Sequence, residues 1–209
     1  MYCMHRHSGF VAVLALMSRL FWPGPAAALE GWVVFANAGK VYRCAVGGRV
    51  EQICEGDAAH ACWSADGRRV FYITWRGKLW VMNNDGSERR FLRNGRNTNH
   101  CPIAAYRPNP RYVLYVEHKH FYTIGLDGKK TLVYTGERPY SGEIAISTDG
   151  TRMVGRSKNH LYRIDVGGAS RRYSVKCSAS LSPDGTLMTR NTVSHVGLEI
   201  HRWDSSGKT

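Results

Sequence analysis

The sequence predicts an all-β chain folded as a β-propeller of about five four-stranded blades, and three observations carry that prediction. A strand-and-turn cassette recurs about every forty residues, with its first apolar position at 41, 79, 121, 161 and 198. A second motif, Ser-x-Asp-Gly, keeps step with it at Ser64–Gly67, Ser147–Gly150 and Ser182–Gly185. No segment between residues 30 and 209 carries a sustained helical period. Two motifs locked to one period mark a repeat architecture, in which each unit buries its faces only against its neighbours.

The units expected from this spacing are 31–56, 57–96, 97–137, 138–176 and 177–209, together forming one domain over 29–209. The cassette begins with Lys40-Val41-Tyr42-Arg43 in the first unit. It returns as Lys78-Leu79-Trp80-Val81-Met82 before Asn83-Asn84-Asp85-Gly86 in the second, and as His120-Phe121-Tyr122-Thr123-Ile124 before Asp127-Gly128 in the third. The fourth copy is His160-Leu161-Tyr162-Arg163-Ile164, and a weaker fifth runs from Leu198 to Gly207. Aromatic and β-branched residues alternate within each copy, the period-two pattern of a strand packed between layers. The Asp-Gly pairs supply turns between strands, because Gly reaches positive φ and Asp bonds its own backbone. In the third unit Arg107-Pro108-Asn109-Pro110 stands where Ser-x-Asp-Gly is expected, and a turn is still expected because proline fixes φ. The first unit lacks an inner strand and the last an outer one, which fits either a small irregular propeller or part of a larger one.

Ser-Pro-Asp-Gly, then an apolar strand, then a Leu-Tyr-x-Ile-Asp-like strand ending in Gly resembles the propeller repeat of the TolB family. The resemblance covers roughly residues 31–205. It implies the propeller fold and an envelope-associated partner such as a lipoprotein or translocation component. The amino-terminal domain that the family carries before its propeller is not matched, so its partner-binding extension does not transfer.

Residues 1–28 read as an export signal: Arg6, the apolar run Gly9–Met17, then Ala26-Ala27-Ala28 as a small-residue cleavage pattern. The run is too short for a membrane span, so a periplasmic or secreted chain that does not span the membrane is expected. Removing the segment takes away Arg6 and Arg19 and no acid, so the net charge of +13 becomes +11. Five cysteines remain, Cys44, Cys54, Cys62, Cys101 and Cys177. A hairpin turning at Gly47-Gly48 sets Cys44 opposite about Glu51 rather than Cys54, while a disulfide among Cys62, Cys101 and Cys177 competes with a reading of these as small buried hydrophobes.

Propellers concentrate function at the end where the inner strands begin. Loops expected there carry His60, Trp75, Arg76, His100, His118, Lys119, Lys158 and His195, with Tyr140 and Glu143 nearby. Arg76, Lys119 and Lys158 would supply charge to an anionic ligand and Trp75 a face on which a sugar stacks. A sharper alternative is a divalent metal held by His60, His100, His118 and His195, since imidazole suits transition metals. The plain alternative is that turns favour polar residues.

Hydrolytic chemistry finds no support: the string Gly155-Arg156-Ser157-Lys158-Asn159 lacks the second Gly of a nucleophile elbow. The terminal Ser206-Gly207-Lys208-Thr209 has Arg202 where a phosphate-binding loop needs its first Gly. Basic pairs such as Arg68-Arg69, Arg89-Arg90, Lys129-Lys130 and Arg171-Arg172 are dispersed, a diffuse field rather than a nucleic-acid groove. The expected function is therefore a non-enzymatic binding scaffold without a cofactor, its partner an envelope protein or anionic glycan. The alternative is a metal-dependent, lyase-like or glycan-binding propeller acting on acidic polysaccharide.

Overall fold

The computed structural model describes residues 31–95, 103–137, 139–140, 143–158, 160–168, 170–174, 179–191 and 197–204, and these contain strands and turns but no helix. The export signal expected at 1–28 lies outside them. Four antiparallel sheets follow one another along the chain. The first holds β1 (Trp32–Asn37), β2 (Gly39–Ala45), β3 (Val50–Trp63), β4 (Arg69–Thr74), β5 (Lys78–Asn83) and β6 (Arg90–Asn94). The second holds β7 (Ile103–Ala105), β8 (Tyr112–Glu117), β9 (His120–Gly125) and β10 (Lys130–Thr135). The third holds β11 (Ala145–Ile146), β12 (Arg152–Ser157), β13 (His160–Asp165) and β14 (Ser170–Ser174), and the last β15 (Ala179–Leu181), β16 (Leu187–Asn191) and β17 (Leu198–Arg202).

The arrangement is an all-β propeller of four blades rather than the five expected. The difference lies in β3, which does not stop where the first unit ends. Its early residues pair with β2, as in Val50↔Cys44 and Cys54↔Val41, and its later ones with β4, as in Cys62↔Phe71 and Trp63↔Val70. The expected boundary at 56–57 falls inside this strand, at Gly56 (φ 121°) and Asp57 (φ 40°), where the chain bends without leaving the sheet.

Alternation sends successive side chains to opposite faces and so builds the core between sheets. Phe71, Ile73, Leu79 and Val81 pack toward the second sheet against Ile103, Val113, Tyr115 and Ile124. Val70, Tyr72 and Met82 turn the other way, toward Val34, Val41 and Ala58. Leu114, Val116 and Phe121 meet Ile146, Met153 and Tyr162, while Val154 and Leu161 meet Leu181 and Met188. Each such buried side chain contributes roughly 1.5–3 kcal/mol.

The Ser-x-Asp-Gly motif owes its recurrence to one hydrogen-bond circuit. Ser64, Ser147 and Ser182 donate from Oγ to Asp66, Asp149 and Asp184 at 2.6, 2.5 and 2.5 Å. The same hydroxyls accept from the N–H of the residue opening the next strand, Arg69, Arg152 and Leu187. In the third unit Asn109 keeps the Asp role, its Oδ1 accepting from Arg111 N at 3.0 Å. Arg107, in the Ser position, instead reaches across the molecule. Its Nη1 donates to the carbonyls of Ile146, Leu181 and Ser182 at 3.0, 2.7 and 3.2 Å, tying three consecutive blades together. Two further arginines at one cassette position strap neighbouring repeats: Arg43 donates to Asn84 O and Arg163 to Arg202 O.

Candidate binding face

In every four-stranded blade the turn joining the second strand to the third lies at the end opposite the Ser-x-Asp-Gly turns, because the strands run antiparallel. Trp75-Arg76-Gly77 joins β4 to β5, His118-Lys119 joins β8 to β9, and Lys158 follows β12. These turns are tight. Glu117 pairs directly with His120 and Ser157 with His160, leaving two residues to reverse the chain. His118 (φ 55°) and Lys158 (φ 52°) take the left-handed conformation that such a reversal requires, and Gly77 (φ 78°) does so in the first sheet.

Arg76, His118, Lys119 and Lys158 are all exposed, and 49% of Trp75 is accessible to solvent. Arg76, Lys119 and Lys158 form no side-chain hydrogen bond or ion pair among the described residues, so their charge is available to a ligand. His60 lies in β3 beside this turn, its ring centroid 6.2 Å from that of Trp75. The backbone N–H of Trp75 donates to Asp57 O at 3.0 Å, anchoring the indole to the strand that carries His60. The next two turns share a clamp: Tyr140 N donates to His118 O at 2.6 Å, and Ser157 Oγ donates to Pro139 O at 2.5 Å.

Of the expected residues, then, His60 and Trp75 are in ring contact, and the turns holding His118 and Lys158 are linked through residues 139–140, by way of Ser157 in the second. His100 and His195 lie outside the described residues, and with them half of the four-histidine metal set. Among the described residues no group of three or more His, Cys, Asp or Glu is arranged to hold a metal ion. Tyr140 is a core residue, 4% exposed, with its ring against Phe121 and Tyr162. Glu143 forms an ion pair with Arg156 at 3.0 Å. Cys44 and Cys54 are free thiols, with Cys44 opposite Val50, while Cys101 and Cys177 lie outside the described residues.

Sequence reasoning missed how much of the basic charge rests on aromatic rings. Arg43 lies over Trp32 at 4.9 Å, Arg89 over Trp80 at 4.5 Å and Lys130 over Tyr122 at 4.1 Å. Arg163 and Arg190 both face the ring of Tyr173, at 3.9 and 5.3 Å. The spacing of Tyr122 and Lys130 across one hairpin was a usable signal; the pairs that cross between blades gave none.

No protein-family model matches the chain, and no curated protein does. Among solved structures it is similar to TolB from Acinetobacter baumannii, with 13% identity and a TM-score of 0.62, over 81% of this chain and 49% of that one. Hydrazine synthase from Kuenenia stuttgartiensis aligns at 16% identity and a TM-score of 0.49, over 67% of this chain and 44% of that one, too loose a likeness to carry argument. The chain spans about half the length of the TolB structure it matches. At this identity the likeness concerns architecture alone: the chain has a TolB-like β-propeller fold.

Proposed function

We propose that this chain is an exported, non-enzymatic propeller scaffold that binds an anionic glycan or an acidic surface of an envelope protein. The binding groups are Trp75, Arg76, His118, Lys119 and Lys158, with His60 supporting the indole. The observation that supports this reading is the repeated presentation of unengaged cations on equivalent tight turns of successive blades, beside one exposed indole. Rigid turns lose little conformational freedom when a ligand orders them, so charge placed there binds efficiently. A sugar stacks on an indole face while its carboxylate or phosphate meets the cations.

The test is affinity electrophoresis of the purified chain through gels containing polygalacturonate, at low and physiological salt. Retardation that weakens with salt is expected, together with its loss in an Arg76→Gln/Lys119→Gln/Lys158→Gln variant and a partial loss in Trp75→Ala. Equal mobility of wild type and triple variant, with both folded, refutes the assignment. Cleavage of the polymer in the same gels would instead establish the lyase-like alternative.

A further inference from the structure

A second site lies at the opposite end of the first sheet. A cavity of about 250 Å³ is lined by Arg69, Val81, Met82, Asn83, Glu88, Arg90 and Leu126. The registers explain why these residues meet. Arg69 pairs with Asn83 and Val81 with Arg90, so four side chains separated by steps of two share one face of the sheet. That face is the one whose Phe71, Leu79 and Val81 pack against the second sheet, and Leu126 of the next blade closes the cleft from the other side. The floor is therefore the end of an interblade core, and Arg69 and Arg90 line the same cavity.

Their lack of engagement separates them from other cations of the fold. Arg152 holds the same register in the third sheet, opposite Asp165 as Arg69 is opposite Asn83. Arg152 donates to Gly185 O at 3.0 Å and lies 5.6 Å from the ring of Trp203. Lys130, at the start of β10, forms an ion pair with Glu117 and faces Tyr122. Among the described residues the side chains of Arg69, Arg90 and Glu88 make no hydrogen bond or ion pair. Glu88 holds a left-handed backbone (φ 52°) at the rim. Two planar donors lining one cleft with Val81 and Leu126 match an oxyanion carried on a compact apolar body.

We propose that this cleft binds a small organic oxyanion, a carboxylate or phosphate ester with a short apolar body. Arg69 and Arg90 hold the oxyanion, Val81 and Leu126 enclose the body, and Glu88 disfavours a second negative charge. The site is independent of the turn face at the other end of the blades.

The experiment titrates the full chain with 3-methylbutanoate and, separately, with inorganic phosphate, following the methyl resonances of Val81 and Leu126. A saturable shift at these methyls is expected with at least one probe. Preference for 3-methylbutanoate assigns a carboxylate ligand, and preference for phosphate a phosphate ester. Arg69→Gln/Arg90→Gln is expected to weaken binding by about tenfold or more, the loss of one charge-assisted contact or more. Glu88→Gln tightens it by roughly twofold, since an exposed like charge opposes the anion weakly. Should the double arginine variant fail to fold, Leu126→Trp fills the cleft with both arginines intact and abolishes the shift at the Val81 methyls. Arg76→Gln/Lys158→Gln leaves the titration unchanged even if the turn-face reading fails. Absence of saturable shifts with both probes, or titrations in the double arginine and Leu126→Trp variants identical to that of wild type, overturns the proposal.

Discussion

Replacing Arg107 tests whether a departure from the repeat holds the propeller together. Its guanidinium donates to Ile146 O, Leu181 O and Ser182 O, at 2.7–3.2 Å, across sequence separations of 39, 74 and 75 residues. Burial lowers the pKa of this arginine from its ordinary value, a sign that part of the hydrogen-bond gain is offset by desolvation. Hydrogen bonds to a charged donor contribute about 1.5–3 kcal/mol each, and a buried carbonyl left without a donor costs about 1–3 kcal/mol. Three acceptors shared by one Nη1 do not add independently, so the expected cost of Arg107→Met is about 2–4 kcal/mol. For a domain of this size that is roughly 4–16 °C in Tm. Hydrophobic replacement does not recover the loss as it can in a buried ion pair, because the acceptors are backbone carbonyls that remain in place. Arg107→Ser restores the hydroxyl found at Ser147 and Ser182, repairing the local turn while leaving the three carbonyls without their donor. The assay is urea unfolding of wild type, Arg107→Met and Arg107→Ser, with intrinsic tryptophan fluorescence as readout. Both variants are expected to lose stability at an unchanged m-value. A loss below about 0.5 kcal/mol in both refutes the claim that this residue couples the blades.

Gly86 and Gly167 both have positive φ in the turn after a cassette strand, at 90° and 86°, yet only Gly86 abuts a neighbouring repeat. A Cβ at Gly86 would fall 2.1 Å from Ile53 O, whereas one at Gly167 meets nothing within 4 Å. Gly167→Ala should cost about 1 kcal/mol for the conformation alone, and Gly86→Ala clearly more in the same thermal melts. Asp149 has its pKa lowered to about 2, first by the Ser147 hydroxyl and then by the Thr151 N–H and hydroxyl. A depressed folded-state pKa gives stability that is full above the unfolded value near 3.9 and is lost as pH falls through about 2. Asp149→Asn should therefore lower the melting temperature near neutrality, and the gap from wild type should narrow between about pH 4 and pH 2. Tyr173→Leu removes the ring between Arg163 and Arg190 and should expose the last sheet first, seen as early protection loss in β16 by hydrogen exchange.

Much of the fold was legible because its information is local. The apolar periods that define β2, β5, β9, β13 and β17, and the turns that hold Asp66, Asp149 and Asp184, depend on residues within a few positions of each other. The continuity of β3 was not legible, since Gly56 reads as a break in sequence and is a bend in space. Cys44 was expected opposite about Glu51 and sits opposite Val50, a displacement of one set at the turn, where Gly48 N donates to Ala45 O, and undone past the register shift at Val41/Tyr42. Arg107 was legible only as a departure from the motif; its reach across two blades depends on side-chain length and on a ring geometry no local pattern encodes. The turn face was read in part, because Trp75, His118 and Lys158 follow from strand order, whereas the contact between His60 and Trp75 depends on the bend in β3.

The excess of positive charge divides by engagement, and that division separates architecture from function. A cation over a ring or bonded to a neighbouring carbonyl is already part of the fold: Arg43, Arg89, Arg107, Arg152 and Arg163 each join one repeat to another or cover an interblade edge. Removing one of them changes stability, and any effect on binding follows from that change. Arg76, Lys119 and Lys158 at one end, and Arg69 and Arg90 at the other, have no such engagement among the described residues. An exposed guanidinium or ammonium contributes little to stability, so neutralising the exposed Arg76, Arg90, Lys119 and Lys158 should leave the melting temperature nearly unchanged. On the binding readings proposed above, their effect falls in ligand affinity and in its salt dependence. The two groups of arginines and lysines thus make opposite predictions for the same pair of measurements, melting temperature and anion binding. A propeller whose charge served only solubility would show neither contrast.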